Sequence, residues 1–90
     1  MVTAVCKYAL SDGPGTTTHL MPIGARVLGV ESVQSRPVIW ARVDPTAEKV
    51  DRTFEVAETD ALLPDGPLDY IGTAQLYGGS YVLHVFEVQQ

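Results

Sequence analysis

Apolar and polar residues alternate with a period near two along most of the chain, and no helix-length window carries a 3.6-residue apolar stripe free of Pro or Gly. This pattern predicts an all-β domain. The first strand spans residues 2–10 and ends in Ser11-Asp12-Gly13-Pro14-Gly15. Those glycines and that proline suit a turn, so a hairpin into residues 16–21 is expected. After the break at Pro22-Ile23-Gly24-Ala25, residues 26–32 read as a strand with Val27, Gly29 and Glu31 on one face and Leu28 and Val30 on the other, Gly29 being a candidate bulge. Pro37 opens residues 38–43, where Val38, Trp40 and Arg42 share the face opposite Ile39, Ala41 and Val43.

Residues 52–57 form a fifth strand with Phe54 and Val56 inward, followed by the longest irregular stretch, residues 58–67, with room for one helical turn at residues 60–63. Residues 70–77 and 80–88 are two further strands joined at Gly78-Gly79, a dipeptide suited to the positive φ angles of a tight hairpin turn. About seven short strands in one 90-residue domain, residues 1–90, point to a compact small sandwich or a partly open barrel, because one flat sheet would leave an apolar face in water.

Composition narrows the function. Apolar residues make up 46% and charged residues 19%, a folding composition, while eleven acids against six bases leave a net charge of −5. A nucleic-acid polymer held through its phosphates needs clustered Lys and Arg, so such a partner is not expected. The single cysteine, Cys6, sits in an apolar run and fits a reducing compartment, and no stretch has the length of a membrane span. A cytoplasmic protein with no membrane partner is expected.

Chemical motifs are sparse. His19, His84 and Cys6 have no metal-ligand spacing, Gly13-Pro14-Gly15 is followed by no Lys-Ser or Lys-Thr, and no nucleophile elbow occurs, so the expectation is a protein without metal, cofactor or catalytic residues. Six residues remain as ligand- or partner-binding candidates: Trp40, Arg42, Arg52, Tyr70, Gln75 and His84. Trp40 is either a core anchor or a stacking surface. Arg42 on the same face could form a guanidinium fork for carboxylate or phosphate, or pair with an acid such as Glu55 or Asp44. His84 shares a face with Val82, Phe86 and Val88, which allows a core imidazole satisfied by a backbone carbonyl, or a ligand contact. Tyr70 is a strand residue that binding surfaces also favour, and Gln75 is a polar residue in an apolar run, outward or aimed at a partner. Arg52 with Arg42 and an aromatic such as Trp40 or Tyr70 could hold an anionic nucleotide.

The segments Lys7-Tyr8-Ala9-Leu10, Met21-Pro22-Ile23-Gly24-Ala25-Arg26-Val27-Leu28-Gly29-Val30, Trp40-Ala41-Arg42-Val43-Asp44-Pro45, Tyr70-Ile71-Gly72-Thr73-Ala74-Gln75-Leu76 with Gly78-Gly79, and His84-Val85-Phe86-Glu87 together resemble a small family of all-β proteins of unassigned activity, encoded mainly by bacteriophages. Where members of that family carry Gly-Thr-Gly-His, this chain has Glu58-Thr59-Asp60-Ala61, so a role for that histidine does not carry over. The resemblance implies an accessory phage product acting in the host cytoplasm, in a class that includes counter-defence proteins. Two functions compete. One is a non-enzymatic binding protein that blocks a host protein, its acidity suiting a basic surface. The other is an oligomeric sequesterer of a small anionic nucleotide-type ligand. A homo-oligomer, most simply a dimer, is expected because an open small β-fold leaves edge strands that must be paired, covered or charged, and the terminal strand, residues 80–88, carries only Glu87 as a charge.

Overall fold

The structure, a computed structural model, describes residues 1–89. Seven antiparallel strands form two sheets: β1 (Ala4–Ala9), β2 (Gly15–Pro22), β3 (Arg26–Val33), β4 (Arg36–Val43), β5 (Lys49–Glu58), β6 (Leu68–Leu76) and β7 (Tyr81–Val88). The three-stranded sheet has the order β1-β4-β3 and the four-stranded sheet the order β2-β5-β7-β6. The sheets pack face to face as a sandwich around Leu10, Met21, Ile39, Phe54, Val56, Leu76, Leu83 and Val85. Alternation dictates this core: Ile39, Ala41 and Val43 of β4 turn inward to meet Phe54 and Val56 of β5, as the period of two requires. No helix among the described residues is long and apolar enough to cross a membrane.

The expected hairpin between the first two strands does not form. β1 pairs with β4 and β2 with β5, and the segment between them carries the chain from one sheet to the other. Leu10 N donates to Pro37 O (3.0 Å), extending the pairing with β4, and Ser11 N then turns to Thr17 Oγ1 (3.1 Å) in the other sheet. His19 Nε2 donates to Ala9 O (2.6 Å) across the same gap. Residues 60–63 form no helical turn, because Asp60 adopts φ 70° and only the turn closed by Ala61 N to Glu58 O (3.2 Å) is made.

The hairpin over Gly78-Gly79 is present as a short 3₁₀ turn, Tyr77–Gly79, with φ 68° and 91° at the two glycines. Its second strand is not an edge, however: β7 lies between β5 and β6, so the edges are β1, β3, β2 and β6. The argument for a dimer from an exposed terminal strand therefore falls. At one side of the sandwich the sheets come close together, where the α-carbon of Gly72 on β6 faces Val30 on β3; a β-carbon there would stand 3.1 Å from Val30 Cγ2.

A bulge shapes β3. Val27 pairs with Ala41 but Gly29 with Trp40, leaving Leu28 as the extra residue. Val27 and Val30 consequently both lie opposite inward residues of β4, whereas Arg26, Gly29 and Glu31 lie opposite Arg42, Trp40 and Val38 on the outer face. Strict alternation had placed Val27 with Gly29 and Glu31; the bulge moves it to the other side.

Candidate functional site

The six candidate residues fall in three places. Trp40 and Arg42 lie on the outer face of the three-stranded sheet, as alternation along β4 requires. Tyr70, Gln75 and His84 lie on the outer face of the four-stranded sheet, on the far side of the core. Arg52 sits at an end of the sandwich. Its guanidinium makes a two-pronged ion pair with Glu87 through Nε and through Nη2 to Oε1 (2.8 Å), while Nη1 donates to Ala25 O (2.8 Å). Glu87 raises the already high pKa of Arg52 further. Arg52 thus fastens β5 to β7 and to the turn before β3 and has no fork to spare for a ligand. Trp40 and Tyr70 lie on opposite outer faces of the sandwich, so one nucleotide cannot meet Arg52 and both of them.

On the four-stranded sheet the polar groups satisfy one another. Tyr70 OH meets Thr73 Oγ1 (2.5 Å), Thr73 Oγ1 meets His84 Nδ1 (3.1 Å), and His84 Nε2 meets Thr59 Oγ1 (2.8 Å), while the Tyr70 ring packs edge to face on Phe86. His84 is therefore held by two hydroxyls rather than by the backbone carbonyl expected from the sequence, and ties the start of residues 58–67 to the sheet. The histidine that does use a carbonyl is His19. Gln75 is exposed, with its amide oxygen close to Gly79. Among the described residues no three His, Cys, Asp or Glu side chains converge.

The three-stranded sheet presents a different surface. Trp40 is half-buried, lining a shallow groove of about 330 Å³ with Val5, Leu28, Gly29, Val30 and Glu31. Val5 is 61% and Leu28 52% exposed, so two aliphatic side chains flank the indole in water. The indole Nε1 is enclosed and has no hydrogen-bond acceptor, the one such side-chain atom among the described residues. A buried donor left unpaired costs about 1–3 kcal/mol.

The one charged residue lining this groove is the acid Glu31, but the sheet around it is rich in bases. The three strands carry Lys7, Arg26, Arg36 and Arg42 but one acid, Glu31, in a chain where acids outnumber bases eleven to six. Lys7 pairs across from Trp40, and Arg26 across from Arg42. Arg42 meets neither Glu55 nor Asp44: its Nε donates to Thr3 Oγ1 (3.0 Å). Asp44 is occupied by its own turn, accepting from Thr46 N (3.0 Å) and Thr46 Oγ1 (2.7 Å), which holds its carboxyl below the usual aspartate range. Sequence reasoning found Trp40 and Arg42 but missed Arg26, Lys7, Val5 and Leu28, which join them only through strand pairing.

A family model described as a domain of unknown function (DUF7352) matches residues 1–90. No curated protein and no solved structure matches the chain.

Proposed function

We propose that this chain, which belongs to the DUF7352 family, is a non-enzymatic binding module that engages a protein partner through the outer face of its three-stranded sheet. The observation that carries this reading is Trp40, set outward and half-buried between the exposed Val5 and Leu28. Tryptophan and arginine are the residues that most often dominate binding energy at protein interfaces, and a flat face rimmed by cations and centred on an aromatic has that anatomy. The face is too open to bury most of a small ligand, which favours a macromolecular partner. The resemblance to phage-encoded proteins supports an accessory product that acts on a host protein in the cytoplasm of an infected cell, counter-defence being one such role. Charge modifies the expectation drawn from composition: the docking face is the basic part of an acidic protein, so the surface it meets is acidic rather than basic.

Affinity capture with matched variants tests the reading. Leu28→Glu places a charge in the groove, and Leu20→Glu places one at an equally exposed leucine (62%) on the four-stranded sheet. The reading requires a partner held by the unaltered chain and by Leu20→Glu but lost from Leu28→Glu. Retention by Leu28→Glu, or loss from Leu20→Glu alone, contradicts it.

A further inference from the structure

Arg26 and Arg42 occupy directly opposed positions in the β3–β4 ladder, both exposed and both on the outer face. Like charges set opposite one another oppose strand pairing, and a chain with eleven acids could readily have placed one beside them. Arg26 has no hydrogen-bond or ion-pair partner among the described residues, Arg42 uses only Nε, and Asp44, the acid in the same cleft, is held by Thr46. Both residues line a cleft of about 510 Å³ that also includes Thr3, Ile23 and Asp44. Two unneutralised planar forks beside a cleft are the donor set that carboxylates and phosphates bind in a two-pronged manner.

The Arg26/Arg42 cleft adjoins the Trp40 groove. Arg42 and Trp40 stand two residues apart on β4, which in extended chain is roughly 7 Å. An extended polypeptide repeats its side chains on one face at the same interval. We infer that the Arg26–Arg42 pair is an oxyanion site that receives a glutamate or aspartate of the partner protein, with an apolar side chain two residues away seated against Trp40, Leu28 and Val5. This rests on the docking face proposed above and adds the chemistry of what docks: an acidic, apolar-alternating segment. A carboxylate on a chain is favoured over the phosphate of a free nucleotide because Arg42 neighbours Val5 and, along β4, Trp40 of the groove, which a polypeptide would cover and a nucleotide would leave wet.

The probe is the blocked heptapeptide acetyl-Thr-Glu-Thr-Leu-Thr-Glu-Thr-amide, titrated into the isotopically labelled protein while amide and indole resonances are followed. Its glutamine counterpart and ADP serve as parallel probes. The inference requires saturable shifts at Trp40 and around Arg26 and Arg42 with a Kd of about 1 mM or tighter, weakened about tenfold or more in the glutamine peptide and in Arg26→Gln/Arg42→Gln. Equal binding of the two peptides, unchanged binding by the double variant, or no saturation by any probe overturns it. Tighter binding of ADP than of the acidic peptide also overturns it, assigning the pair to phosphate. Capture of the partner separates this inference from the reading beneath it. If Arg26→Gln/Arg42→Gln holds the partner as well as the unaltered chain does while Leu28→Glu loses it, the docking face stands and the oxyanion site fails.

Discussion

Arg26 and Arg42 face each other across the β3–β4 ladder, and neither is in an ion pair. The pair is a local conflict in an otherwise consistent fold, and such conflicts tend to mark surfaces kept for binding rather than for stability. If so, relieving the repulsion should not harm the fold. Arg26→Gln is expected to leave unfolding free energy unchanged or raise it by about 0.2–1 kcal/mol, measured by urea denaturation at low salt. A loss of more than about 1 kcal/mol would give Arg26 a structural role and remove the basis for a binding pair.

Arg52 is the opposite case. Its ion pair with Glu87 is largely shielded from solvent, and the same guanidinium holds Ala25 O. Glu87→Ala strands a partly buried cation and is expected to cost about 1–3 kcal/mol, well above the effect of removing an exposed pair. A melting temperature equal to that of the unaltered protein would show that the contact contributes little.

Gly72 allows β6 to approach β3, and a β-carbon there meets Val30 at 3.1 and 3.2 Å. Gly72→Val is expected to destabilise by about 1–3 kcal/mol through overpacking. Gly29 has no atom within 4 Å of its would-be β-carbon and no positive φ, so Gly29→Ala should stay within about 0.5 kcal/mol. Equal effects of the two changes would mean that the close approach of the sheets has been misjudged.

The turn between β6 and β7 needs left-handed backbone at both glycines. Gly79→Val, at φ 91° and with Gln75 Oε1 3.4 Å from the new β-carbon, is expected to lower stability by about 1–3 kcal/mol in thermal or denaturant unfolding. Unchanged unfolding would show that the turn tolerates a β-branched residue.

What the sequence disclosed was local. The period of two fixed which side of β4 carries Trp40 and Arg42, and Gly78-Gly79 announced its hairpin because only glycine enters positive φ without strain. Partnership between distant strands was not legible. The β3–β4 turn puts Gln34 and Ser35 at φ 52° and 61°, a left-handed pair without the usual glycine, so the register that brings Arg26 beside Arg42 had no signature. The bulge at Leu28 reversed the facing of Val27 for the same reason. Arg52 looked available because Glu87, 35 residues away, is joined to it only through the β5–β7 pairing.

The docking face is tested most directly by hydrogen–deuterium exchange of the complex captured from cells against the uncomplexed protein. Burial of the three-stranded sheet by a partner predicts added protection at β1, β3 and β4, including the amides around Leu28 and Trp40, with β6, β7 and residues 58–67 unchanged. Protection confined to β6, β7 and residues 58–67 would contradict the account and move the binding surface to the side of His84.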